Sequence, residues 1–258
     1  MAGKLNADIL IENGTVVTVD PQRRVIRNGA VAVVKNEIRE VGKASALRKK
    51  YSPKKKYDAT NKLVMPGLIN CHIHFYHHMH RGLSPETLAG MPWSDFAHRR
   101  VATIVRAEDE IWGGLGILVE TLKTGATTFL EAGSYNIDKV IEGVSRIGMR
   151  GLMGRRSFDL VSQGHNMLVD STKKCLKENE RFFKKYRGGV DLVKPCIVVV
   201  GMGRCTDELY KKSKAMADKY GTILHMHMSN MIENVQESLS KNGVRPIEHL
   251  YNLGILGK

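Results

Sequence analysis

The sequence predicts an α/β protein, a parallel sheet with helices packed outside it, preceded by a small antiparallel sheet. Three observations carry this. From residue 63 onward, short apolar runs alternate with segments whose apolar residues recur at helical spacing, the pattern of successive strand–helix units. Gly125, Gly148 and Gly221 each close a helical run just before an apolar run, where a left-handed residue ends a helix without strain. Residues 7–41 show no helical period and hold only short β-like pieces between turn residues.

In chain order, the β-like pieces are 8–11, 15–19, 30–34 and 38–41, with Gly14, Pro21 and Asn28-Gly29 between them as turn signals. The basic stretch 43–56, which contains Pro53, predicts a surface helix or loop. Pro66 and Gly67 then punctuate the entry to the first parallel strand, after which residues alternate: Leu68, Asn70, His72 and His74 on one face, Ile69, Cys71 and Ile73 on the other. Helices behind the apolar face would leave His72 and His74 projecting into a barrel or cleft. Ile111, Leu115, Leu118 and Leu122 mark a helix that leads to strand two at 126–130. Ile137, Val140, Ile141, Val144 and Ile147 mark the next, before strand three at 149–155. A basic helix over 171–186 precedes strand four at 193–200. Thr206 caps a helix that runs to Tyr220, strand five covers 222–228, and two short helical pieces follow. The domains read as 1–60, the amino-terminal sheet, and 61–258, the strand–helix units.

Composition excludes several classes. With 42% hydrophobic residues in 258, the chain is ordinary for a globular protein and disorder is not expected. Cys71, Cys175, Cys196 and Cys205 have no CxxC spacing, and no secretory segment accompanies them, so neither a disulfide framework nor a zinc ribbon is indicated. The apolar runs are too short to span a bilayer, which predicts a soluble, cytoplasmic protein without a membrane partner. The net charge of +14 collects in 48–56, 173–187 and 211–214. The last two clusters lie on amphipathic helices, where a charged outer face is solvated, and no aromatic residues interleave the basic runs as a stacking surface requires. Nucleic acid is therefore disfavoured as a partner.

The stretch LVMPGLINCHIHFYHHMHRG, residues 63–82, carries the chemistry. Two imidazoles on adjacent inward positions of a strand can share one divalent cation, and neutral imidazole suits zinc, iron, nickel or copper. A hydrogen-bonded histidine pair is the plainer alternative for a bare His-x-His. Pro-Gly-Leu-Ile-Asn-x-His-x-His, however, resembles the first-strand signature of the amidohydrolase superfamily. It is most similar to the branch of heteroaromatic aminohydrolases and chlorohydrolases, the ring deaminases and triazine hydrolases. A second match lies at Leu224-His-Met-His-Met-Ser-Asn230, and the resemblance runs from about residue 8 to 258.

The resemblance implies a metal-dependent hydrolase TIM (β/α)8 barrel, with residues 1–60 as part of a β-sandwich. It implies a hydrolase of carbon–nitrogen, non-peptide bonds that works by hydrolytic displacement at a ring carbon of a small heteroaromatic substrate, through deamination or dechlorination of the ring. The metal, zinc first and iron as the alternative, lowers the pKa of a bound water while a carboxylate moves protons. His72, His74 and His227 are the implied ligands, although spacing alone leaves His225 open in place of His227. The family's catalytic glutamate falls on Asn230, an amide that exchanges no proton at neutral pH, and Glu233 is a possible substitute. Arg155 matches an arginine that some family deaminases use for a polar substrate tail, with Arg156 beside it as a second candidate. His78 falls in the family's substrate loop, as do His77 and His80. Strand four ends in Val200-Gly-Met-Gly-Arg204 without the histidine of the nucleoside deaminases, which argues against an adenosine-type substrate.

Only five strand–helix units are present, and the family's histidine on strand six and aspartate on strand eight have no counterpart. The chain is thus expected to be a fragment or truncated product of a longer amidohydrolase, with a smaller open α/β sheet as the alternative architecture. An open edge predicts self-association, and the full-length protein is expected to be a homo-oligomer. A metal-binding homologue without hydrolase activity is the competing functional reading.

Overall fold

The computed structural model describes residues 3–82, 104–161 and 169–256. The chain packs as two units, Met1–Gly67 and Leu68–Lys258. The first contains β1 (Leu5–Val17), β2 (Val25–Val34), β3 (Glu37–Lys43), α1 (Ala44–Lys50), β4 (Tyr51–Asp58) and β5 (Leu63–Val64). Its sheet runs β3-β2-β1-β4, with β5 also on β1. β2 is antiparallel to β1 and β3, whereas β4 and β5 run parallel to β1, so the sheet is mixed and the purely antiparallel expectation is corrected. Leu10, Ala30, Ala32, Leu47 and Tyr51 form its core.

Two local expectations fail here for physical reasons. Gly14 does not turn the chain: the register shifts on both sides of it and Asn13 takes φ 70°, so the two pieces 8–11 and 15–19 become one bulged strand that ends at Val17. Residues 43–56 are a surface helix only in their first half. From Tyr51 they form an edge strand, where Pro53 loses no ladder bond on the open side and Lys54, Lys55 and Lys56 discourage further pairing.

In the second unit β6 (Leu68–Ile73), β7 (Ala126–Glu131), β8 (Arg150–Met153) and β9 (Val193–Pro195) form a parallel sheet in chain order. β10 (Ile197–Gly201) pairs in parallel with β11 (Leu224–His227). Only Cys196 separates β9 from β10, so predicted strand four is one track in two segments, the first bonded back to β8 and the second forward to β11. Around these strands lie α2 (Phe75–His78), α3 (Ala107–Lys123), α4 (Ile137–Val144), α5 (Thr172–Lys185), α6 (Asp207–Tyr220), α7 (Ile232–Asn242) and α8 (Pro246–Asn252). Ile73, Phe75, Leu118, Phe129, Ile141 and Met153 share one core cluster, and Val199, Leu209, Tyr210 and Leu250 share another.

The sequence signals act as physical stops and starts. Ser171 Oγ accepts from Lys174 N–H at 3.2 Å and Thr206 Oγ1 from Leu209 N–H at 3.1 Å, capping α5 and α6. Asp159 ties these two helix starts together: its carboxylate accepts from Thr206 N–H at 2.8 Å and from the Thr206 and Thr172 hydroxyls, each at 2.6 Å. The apolar face of β6 is less covered than its alternation suggests. β6 is the edge of its sheet, Ile69 remains 63% exposed and Cys71 is exposed, so that Ile73 alone of this face reaches the core. Among the described residues, no helix is long and apolar enough to cross a membrane.

Candidate metal centre

The ends of β6 and β11 bring histidines together. His74 continues the extended backbone past Ile73 (φ −119°, ψ 118°) before α2 begins, and His227 closes β11. His74 Nε2 lies 2.9 Å from His227 Nε2 and 3.2 Å from His72 Nε2. One nitrogen from each of the three lies within 4.8 Å of the others. Tetrahedral zinc with bonds of about 2.0–2.1 Å sets its nitrogen ligands roughly 3.3 Å apart, close to the 2.9 and 3.2 Å that separate His74 Nε2 from the other two. Gly201 makes the approach of β11 possible. It has φ 130°, and a Cβ there would sit 2.1 Å from the His227 carbonyl oxygen.

His227 Nδ1 lies 2.7 Å from the Val200 carbonyl oxygen, which can only accept. The hydrogen-bond network therefore assigns the His227 proton to Nδ1 and leaves Nε2 bare toward the cluster, the arrangement of a metal-ligating imidazole. His225 stands elsewhere: its Nε2 is 3.0 Å from His72 Nδ1, the nitrogen that points away from the other two rings.

Burial sets the electrostatics. It pushes His227 and His225 down to about 4, helped by the Arg156 charge in the first case and by His72 in the second. Burial also holds His74 well below the usual imidazole range, with His77 and Arg156 adding to it. Each group is neutral in the fold and binds a proton in the unfolded chain below about pH 6.5. The stability they contribute is therefore present above pH 6.5 and lost as pH falls toward 4. Urea titrations of metal-free protein are expected to show a midpoint that begins to fall near pH 6.5, above the carboxylate range. A midpoint flat from pH 7.5 to 5 would contradict this.

Beside the histidines is a buried charged group that the sequence reading did not single out as a unit. Arg156 is 7% exposed, with its guanidinium carbon 5.8 Å from the Tyr76 ring centre and 5.4 Å from that of Tyr135. The Tyr76 ring is in turn 5.6 Å from that of His74. Glu131, the last residue of β7, is fully buried, and burial followed by the Glu110 charge holds its carboxyl well above the usual range. Glu131 accepts from Gly133 N–H at 2.9 Å; Glu110 accepts from Tyr135 and Asn136 N–H at 2.9 and 2.7 Å. The available signal was positional: Glu131 closes an apolar strand at the same end as His72 and His74.

The other expected site residues are placed as follows. Asn230 is exposed between β11 and α7, and Glu233 is exposed in the first turn of α7. Arg155 is already engaged: it pairs with Asp170 and donates to Ser157 Oγ at 3.3 Å. His78 packs toward α3, where a Cβ on Gly116 would meet its Nε2 at 2.6 Å.

Comparison with known proteins gives matches along the whole chain. A model of the amidohydrolase family matches residues 63–258. The 5-methylthioadenosine/S-adenosylhomocysteine deaminase of Syntrophobacter fumaroxidans is 30% identical over 256 residues, 99% of this chain and 57% of that protein. Among solved structures, an adenosine deaminase from Xanthomonas campestris with bound zinc aligns with a TM-score of 0.84 at 22% identity, covering 99% of this chain and 57% of that one. Atrazine chlorohydrolase from Arthrobacter aurescens TC1, complexed with zinc, aligns with a TM-score of 0.81 at 22% identity, covering 96% and 58%. At such identities the structural likeness gives the fold, that of the amidohydrolase TIM-barrel enzymes in part. The chain spans 57% of the length of the first of these relatives.

Proposed function

The chain belongs to the amidohydrolase family, and on that premise we propose that it serves metal-dependent hydrolysis at a ring carbon of a small heteroaromatic compound, displacing an amine or another leaving group. The observation that carries the reading is the meeting of three imidazole Nε2 atoms, those of His72, His74 and His227, at 2.9 and 3.2 Å. His72, His74 and His227 would hold the ion, with zinc favoured because imidazole donors suit it and because two structural neighbours carry it. Such an ion, when bound, supplies a water acidic enough to attack at neutral pH. Burial keeps the histidines neutral and able to ligate, and the Val200 carbonyl orients His227.

For the substrate's polar substituent, Arg156 is a better candidate than Arg155. Arg155 is occupied by Asp170, whereas Arg156 Nε and Nη1 are buried without a hydrogen-bond partner among the described residues. Buried donors left unpaired cost stability unless a ligand or water satisfies them. His78 is less suited to touch substrate, since it turns toward Gly116. The deaminase and chlorohydrolase relatives leave amino- and chloro-substituted rings both in range.

The test combines binding and turnover. The chain is expected to bind one zinc ion per molecule and, so loaded, to release ammonia or chloride from one of a panel of substituted purines, pyrimidines and triazines. Activity should disappear with chelator and return with zinc. Release that survives complete metal removal would refute the metal-dependent reading.

A further inference from the structure

We infer that His225 is a positioning residue, the hydrogen-bond acceptor that fixes His72 in the tautomer able to ligate, rather than a ligand itself. The inference rests on the metal-binding reading of His72, His74 and His227 and deepens it. A neutral imidazole carries one N–H, so for His72 Nε2 to present a lone pair its proton must sit on Nδ1. His225 Nε2 lies 3.0 Å from that Nδ1, with ring centres 5.0 Å apart. His72 Nδ1–H then donates, His225 Nε2 accepts, and the proton of His225 sits on its own Nδ1.

Geometry separates this role from ligation. The two nitrogens of an imidazole point away from each other, and His225 meets the His72 nitrogen opposite the one that faces His74 at 3.2 Å. An ion held by His225 Nε2 and His72 Nδ1 would lie on the wrong side of the His72 ring for His74 and His227. The strand explains the division of labour. His225 and His227 share one face of β11, two residues apart, and their β10 register partners are Val198 and Gly201. From that one face, His227 enters the cluster and His225 supports it from behind. His72 thereby receives from a side chain what His227 receives from the Val200 carbonyl.

Two measurements test this. In zinc-free protein with 15N-labelled histidine, long-range proton–nitrogen correlation spectra are expected to show His72 protonated at Nδ1 and bare at Nε2. The opposite tautomer would overturn the inference without any reference to metal. Zinc affinity, read by chelator competition, is expected to fall about 10- to 100-fold in H225F, the usual cost of losing an outer-sphere partner. H225Q, whose amide oxygen can still accept, should recover most of that loss. Equal affinity in H225F and parent would refute positioning, and losses in both variants as large as that of H227A would make His225 a ligand. Should the parent bind no zinc, the metal reading fails, and the tautomer spectrum alone decides for or against the His225–His72 hydrogen bond.

Discussion

Replacing His74 by leucine is expected to cost roughly 10²- to 10³-fold in zinc affinity while making the zinc-free chain more resistant to acid. The first effect follows from its place: His74 Nε2 is the atom that both other Nε2 atoms face. Structural zinc sites release about 10–16 kcal/mol over four ligands, so one ligand accounts for roughly 3 kcal/mol, and about 1.4 kcal/mol is tenfold. The second effect follows from counting protons. The Val200 carbonyl keeps His227 Nε2 bare, and the His225 contact does the same for His72. His74 has one proton to offer, so at least one pair of nitrogen lone pairs faces another across the metal-free cluster. Its Nδ1 is also buried without a partner among the described residues. Leucine removes this conflict at similar volume, along with a buried group that must charge on acid unfolding. Chelator competition and urea midpoints at pH 5 read the two effects. Undiminished zinc binding by His74→Leu would exclude His74 as a ligand.

Segments in which local preference, capping and burial agree were read correctly from the sequence: Ser171 and Thr206 cap the helices they precede, Gly221 ends α6, and the apolar runs at 126–130 and 193–200 are strands. For the histidines it was the resemblance to the amidohydrolases, not spacing alone, that picked His72, His74 and His227, three residues whose ring nitrogens the fold brings within 4.8 Å of one another. Failures arise where tertiary context decides. A Lys-rich run with Pro53 looks like loop until an edge position makes it the strand β4. Gly14 looks like a turn until cross-strand pairing makes it part of a bulge. Arg155 and Arg156 are indistinguishable by type and position, yet Asp170 claims one and two tyrosine rings enclose the other. Spacing treats His225 and His227 as equivalent; only the direction of the His72 ring separates them.

If the proposed hydrolysis proceeds by the family's proton-shuttle mechanism, introducing a carboxylate by Asn230→Glu is expected to raise turnover of the zinc-loaded protein on amino-substituted rings by about 10²- to 10⁴-fold, the usual contribution of a positioned general acid–base group. Ring deamination needs a proton delivered to the ring nitrogen and another to the departing amine, and an asparagine amide can donate a hydrogen bond but cannot exchange a proton at neutral pH. Asn230 is the third residue after His227, exposed in the connection to α7, so a longer acidic side chain meets no buried apolar wall there. Ser229 before it takes φ 55°, a left-handed residue that turns the chain sharply after β11. Glu233 competes for the same role, but it sits in the first turn of α7, where a carboxylate is already accounted for by the positive end of the helix. Ammonia release by the parent, Asn230→Glu and Glu233→Gln proteins under matched zinc loading separates the cases. A fast parent slowed only by Glu233→Gln would make Glu233 the proton shuttle. Bound zinc with no turnover in any of the three would mean that the histidine cluster serves binding without hydrolysis in this chain.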